Sequence, residues 1–95
     1  MPDKKWTSTG SPVQVASSAS TVTLFSANPD VVARLIFNDS TAALFVKFGL
    51  AASTSDFTVK ILAGGYYEFT YPPCRDVVTG VWASANGAAY CTELT

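Results

Sequence analysis

Short stretches in which apolar and polar residues alternate succeed one another along this chain, and that period of two marks strands with one buried face. Val13 and Val15 flank Gln14, and after a Ser17-Ser18-Ala19-Ser20 break Val22 and Leu24 share one side of Thr21–Phe25. Asn28-Pro29-Asp30 predicts a turn, because Asn and Asp bond to nearby backbone and proline presets φ. Val31–Phe37 is almost wholly apolar and β-branched, interrupted by Arg34, which predicts a central strand covered on both faces. Asn38-Asp39-Ser40 predicts a tight hairpin connection into Ala43–Phe48, where Leu44, Val46 and Phe48 alternate with Phe45 and Lys47. Phe57, Val59 and Ile61 alternate with Thr58 and Lys60, and Gly64-Gly65 predicts a positive-φ turn and a second hairpin into Tyr66–Tyr71. Pro72 and Pro73 end that strand, since neither can donate to a ladder. Val81–Ser84 predicts another short strand, and Asn86-Gly87 is the strongest hairpin signal in the chain, returning it into Ala88–Glu93 through a type I′ turn.

Nowhere do apolar residues recur at i, i+3, i+4 and i+7 over three turns, so no helix is predicted. Roughly seven to nine short strands joined by turns predict an all-β fold, a small antiparallel sandwich or barrel. Residues 1–12 are polar, contain Gly10 and Pro12 and show no sustained period. They predict an extended N-terminal arm ahead of a single domain over residues 13–95.

With 95 residues, one hydrophobic core is all the chain can build. A domain of this size hides only roughly 60 to 65% of its unfolded surface, so burial against a partner adds materially to its stability. Charged residues are 14% of the chain, well below the roughly 25% of average domains, while apolar residues reach 48%. A net charge of -1 gives the subunits little electrostatic reason to stay apart, which predicts a homo-oligomer or a larger assembly.

Six Lys and Arg scattered among seven Asp and Glu make no basic face, which argues against nucleic acid as a partner. Apolar runs such as Ala42–Val46 fall far short of the roughly 20 residues that span a bilayer, so no membrane partner is expected. Met1-Pro2-Asp3-Lys4-Lys5-Trp6 carries charge with no apolar segment after it, so no signal peptide is read and synthesis in the cytoplasm is expected. Cys74 and Cys91 are enough for one bridge, but that compartment argues for free thiols. Cys91 reads as a small buried hydrophobe, and Cys74, in the Pro72-Pro73-Cys74-Arg75 loop, as the more reactive of the two.

The chain has no His, which removes the commonest general base and metal ligand at neutral pH. Lys47 and Lys60 alternate within strands and read as solvated, and Glu68 and Glu93 read as surface residues rather than as a glycosidase pair. Asp30, Asp39, Asp56 and Asp76 sit in predicted turns, where Asp serves the backbone, so a calcium site would need several of them to converge. No phosphate loop is present. The reading is therefore of a protein with no catalytic, cofactor or metal residues, and not an enzyme. Aromatic residues are the candidate contacts: Trp6, Trp82, Tyr66 and Tyr71 for an interface, or Trp82 with Tyr66, Tyr67 and Tyr71 as a stacking platform for sugars. Parity places the Trp82 ring with Ser84 on the outer side of its strand.

The run Asn38-Asp39-Ser40, Ala43-Leu44-Phe45-Val46 and Phe48-Gly49, followed by Gly64-Gly65-Tyr66-Tyr67-Glu68, Gly80-Val81-Trp82, Asn86-Gly87 and Thr92-Glu93-Leu94, resembles small virion-associated proteins of tailed bacteriophages and prophages. The likeness covers Arg34 to Leu94 and consists of strand and turn features rather than a chemical motif. It implies a structural β-domain carried in many copies on the virion, with phage coat protein or other virion proteins as partners. A neutral, apolar-rich domain with an arm suits capsid decoration, seated as a cement protein across coat subunits. A neck, tail or fibre component and a host-surface carbohydrate-binding module are the other expectations.

Overall fold

The structure is a computed structural model that describes residues 11–95, and among these it holds eight strands and no helix. The strands are β1 (Val13–Ala16), β2 (Val22–Phe25), β3 (Ala33–Ser40), β4 (Leu44–Phe48), β5 (Val59–Ile61), β6 (Tyr66–Glu68), β7 (Val78–Trp82) and β8 (Gly87–Leu94). They form two four-stranded sheets, the first in the order β1-β8-β3-β6 and the second in the order β2-β7-β4-β5. Every ladder is antiparallel.

The pairs β1–β8, β2–β7, β3–β6 and β4–β5 are nested like the two arms of one long hairpin bent at the β4–β5 connection. Rolling that ribbon brings β8 against the other side of β3 and β7 against β4, which closes two sheets face to face. This is the topology of an eight-stranded jelly roll, a sandwich of two Greek keys. The predicted all-β sandwich is therefore present, and Val31–Phe37 contributes an inner strand as expected.

The predicted hairpins are not. The chain passes from one sheet to the other after Asn38-Asp39-Ser40, through Gly64-Gly65 and at Asn86-Gly87, so β3–β4, β5–β6 and β7–β8 are not paired. Asn38 to Ser40 belong to β3 itself and pair with β8. Gly87 has φ 94° but Asn86 does not have a positive φ, so the two do not make the type I′ turn, which needs both. A Cβ on Gly87 would run into the Asp39 carbonyl and lie 2.8 Å from Ser40 Cα, so glycine here serves the close approach of β8 to the end of β3.

The core lies between the sheets and gathers Leu24, Phe25, Ile36, Leu44, Val46, Ile61, Phe69, Val78, Trp82, Ala89 and Cys91. Gly80 admits Leu24 and Leu44 so closely that a Cβ would stand 2.7 Å from Leu24 Cδ1. Trp82 is not on the outer side of its strand. It is 1% exposed, opposite Leu44 in the ladder, and the whole of β7 is buried, so parity of side-chain hydrophobicity carried no information there.

β3 shows the same inversion more sharply. Its burial alternates, so it is not covered on both faces, and the polar residues point in: Arg34, Ile36 and Asn38 are buried while Leu35 and Phe37 are exposed. The reason is hydrogen bonding. Asn38 Nδ2 donates to the carbonyls of Ala42, Ile61 and Leu62, and its Oδ1 accepts from Trp82 Nε1 at 3.0 Å and from Ser40 Oγ at 2.7 Å. One amide thereby joins β3 to the sheet-crossing turns at one end of the sandwich.

At the other end Arg34 does the same work with a charge. Its Nη1 donates to the carbonyls of Cys74 and Asp76, its Nη2 to that of Ser26, and its Nε to Glu93 Oε2 at 2.8 Å. The guanidinium also lies 4.8 Å from the Phe25 ring centroid. Among the described residues no buried side-chain nitrogen or oxygen lacks a partner, so neither polar group carries an uncompensated desolvation cost.

Candidate functional site

With Arg34, Ile36 and Asn38 turned inward, Leu35 and Phe37 stand on the outward face of the first sheet. Strand register sets Gln14, Tyr90, Phe37 and Tyr66 directly opposite one another across all four strands, a row with three aromatic members. The next row holds Thr92, Leu35 and Glu68, and the one on the other side Ala16, Ala88 and Asp39. Opposed side chains in such rows stand close enough to present one continuous surface. Phe37 is 37% exposed, Leu35 36% and Tyr66 64%. Asp39 and Glu68 are the ionisable groups that flank the row, and no lysine or arginine lies among the outward positions of these strands.

Leu35, Thr92 and Leu94, with Ala33, Glu68 and Phe69, also line a groove of about 210 Å³. That is smaller than the roughly 300–1,000 Å³ typical of small-molecule sites, and it is sized for a protruding side chain.

The second sheet is built differently outside. Residues 49–58, the connection between β4 and β5, fold back over it. Thr79, on β7, donates its Oγ1 to the Gly49 carbonyl at 2.7 Å and accepts from the Ala52 amide at 3.0 Å. Phe57 sets its ring edge-on to Phe45 at 5.0 Å between centroids, and Lys47 pairs with Asp56. The Ser53 and Asp56 backbones bond reciprocally at the loop tip.

The sequence-predicted contact residues are scattered by this fold. Tyr66 stands in the aromatic row of the first sheet. Tyr71 is half exposed in the β6–β7 connection, Tyr67 turns inward against Phe48 and Phe69, and Trp82 is in the core. The sugar platform of Trp82, Tyr66, Tyr67 and Tyr71 is therefore not assembled, and Trp82 is not available to an interface. Trp6, with most of the predicted arm, lies outside the described residues.

Leu35, Phe37 and Tyr90 were the residues that sequence reasoning passed over. The signal was present in β3 as the alternation of Arg34 and Asn38 with apolar neighbours, but that pattern assigns polar residues to solvent unless their hydrogen-bond partners are known.

Among the described residues the carboxylates do not converge. Glu68 faces outward, whereas Glu93, opposite Arg34 in the ladder, is bound to that guanidinium on the inner side. Asp56 pairs with Lys47, and Asp76 caps the Val77 amide. No group of three or more Cys, Asp or Glu is placed to hold a metal among the described residues. The two cysteines are unbridged. Burial pushes the Cys91 thiol up from 9.0 to about 12, with the Glu93 carboxylate adding to the rise, so it stays neutral and unreactive.

Comparisons of the chain with protein-family models, with curated proteins and with solved structures find no match.

Proposed function

We propose that this chain is a structural virion protein of a tailed phage, a capsid decoration or cement subunit that docks the outward face of its first sheet across neighbouring coat subunits. The observation that carries the reading is the aromatic row of Tyr90, Phe37 and Tyr66 on an open face, in a domain with very few surface charges. Aromatic residues depleted of neighbouring charge are what protein interfaces concentrate at their centres. The jelly roll supports the reading by analogy, since capsid domains use it widely, although lectins do too. Each contact need contribute only a few kcal/mol, because symmetric, repeated seats multiply weak binding.

The test is occupancy on purified particles, read by electron microscopy for the wild type and for Phe37→Lys with Tyr66→Ser. Copies on the order of hundreds that disappear in the variant support head decoration through this face. A count of about three to a dozen assigns the neck, tail or a fibre instead. Absence from the particle, together with glycan binding lost in Tyr66→Ser, overturns the structural role in favour of sugar recognition.

A further inference from the structure

The edge strands of the sandwich are guarded unequally. β2 carries an irregularity in its ladder between Thr23 and Phe25, β5 a lysine, Lys60, and β6 a glutamate, Glu68. Bulges and charges of this kind keep a sheet edge from pairing with another chain. β1, Val13-Gln14-Val15-Ala16, has neither, and β8 borders it on one side alone.

The ladder shows which backbone groups of β1 are free. Ser17 N–H donates to the Gly87 carbonyl at 3.0 Å, which continues the β1–β8 register by one step. Antiparallel pairs alternate, so Val13 and Val15 bond to β8 while the N–H and C=O of Gln14 and Ala16 point away from the sheet. No hydrogen bond from another described segment reaches them. The side chains divide along the same strand: Gln14 stands outward in the row of Tyr90, Phe37 and Tyr66, and Val13 and Val15 lie on the inner side. Val13 is nevertheless 61% exposed, and with Leu24, Phe25 and Cys91 it lines a hollow of about 370 Å³.

We propose that two copies of this chain pair their β1 edges antiparallel about a two-fold axis at Gln14, joining their first sheets into one. An uncharged edge that offers an N–H and a C=O at the same residue is complementary to itself. In this register the two Gln14 residues exchange backbone hydrogen bonds, and each Ala16 N–H meets the partner's Pro12 carbonyl, the one backbone bonding group that proline keeps. Val13 then stands beside the partner's Val15, which covers its exposed inner side. Moving the axis one residue either way would set a valine against Ser11 or Ser17 instead. A net charge of -1 gives the copies little repulsion to overcome. The outward row runs on through both Gln14 side chains, so the aromatic residues of the two copies share one surface. The inference does not depend on what that surface binds.

Sedimentation equilibrium of the whole chain from micromolar to millimolar concentration tests the pairing. The wild type is expected to pass from monomer to dimer, with exchange of the Gln14 and Ala16 amides slowing as concentration rises and that of β5 unchanged. Gln14→Pro removes an N–H that points away from β8, and Gln14→Lys sets like charges face to face; each is expected to weaken association by roughly tenfold or more. Exchange of the β8 amides reports whether either variant has disturbed the fold, and Gln14→Lys decides if the proline does. A monomer at every concentration overturns the proposal. So does a dimer that survives Gln14→Lys, or one that Phe37→Lys abolishes while Gln14→Lys leaves it intact, which would assign association to the aromatic face. None of these readings bears on particle occupancy, so the two proposals fail separately.

Discussion

The two sheets of this sandwich share a core but treat their outer faces in opposite ways. The second sheet is roofed by the β4–β5 connection, which uses Thr79 as a two-way hydrogen-bond post and the Phe57 ring as a lid on Phe45. The first sheet has Leu35, Phe37, Tyr66 and Tyr90 at its outer surface, and no described segment crosses them. In a domain with this little charge to spend on solvation, apolar area is either covered from within or held ready for something else. The difference teaches that an open face is a property of one sheet, not a failure of the whole fold to bury its apolar residues.

The sharpest way to break the comparison is to remove what both sheets share. Asn38→Ala strips partners from the Trp82 indole and from the carbonyls of Ala42, Ile61 and Leu62, and should cost about 3–5 kcal/mol. Urea unfolding followed by near-UV circular dichroism measures it, and a loss under about 1 kcal/mol would show that water replaces the amide without penalty.

Thr79→Val removes the post beneath the roof of the second sheet and should cost about 1–3 kcal/mol. Amide exchange then distinguishes a local roof from a structural brace: the Ala52 amide should lose protection while amides of β3 and β8 keep theirs. Uniform loss across both sheets would contradict the separation drawn between them.

Cys91 probes the inner side of the first sheet. Its folded-state pKa of about 12 lies above the ordinary 9.0, so between those values the unfolded chain releases a proton that the folded one retains. Stability from this group is complete below about pH 9 and declines as pH rises toward 12, at up to about 1.4 kcal/mol per pH unit. Other groups titrate in that range, so the quantity to compare is the slope of unfolding free energy with pH in the wild type and in Cys91→Ala. Parallel slopes would place the thiol in contact with water.

The smallest effect is expected where the comparison matters most for function. Phe37→Ser and Tyr66→Ser should each change stability by no more than about 0.5 kcal/mol, as outward substitutions do, while abolishing the particle binding proposed for this face. A thermal unfolding midpoint that fell by many degrees would mean that the face already packs against part of its own chain.

Much of the fold was legible from local chemistry. The alternations at Leu44–Phe48 and Phe57–Ile61 named β4 and β5, and the absence of helical periodicity held through the described residues. The turns were legible as bends but not as hairpins. Gly64 does take a positive φ, yet its bend leads from β5 into the opposite sheet, because a turn's residues set its backbone angles and not which edge the next strand will join. The candidate site was largely illegible: of the aromatic residues singled out, Tyr66 alone among the described ones lies in the exposed row.

The amino-acid sequence by itself determined the strand period, the single small core and the scarcity of charge, since these follow from which residues are present and how neighbours alternate. Tertiary structure alone decided which side of β3 and β7 faces inward and which sheet stays open. Arg34 and Asn38 are buried because carbonyls from distant turns converge on them, and that convergence exists only once the ribbon has rolled.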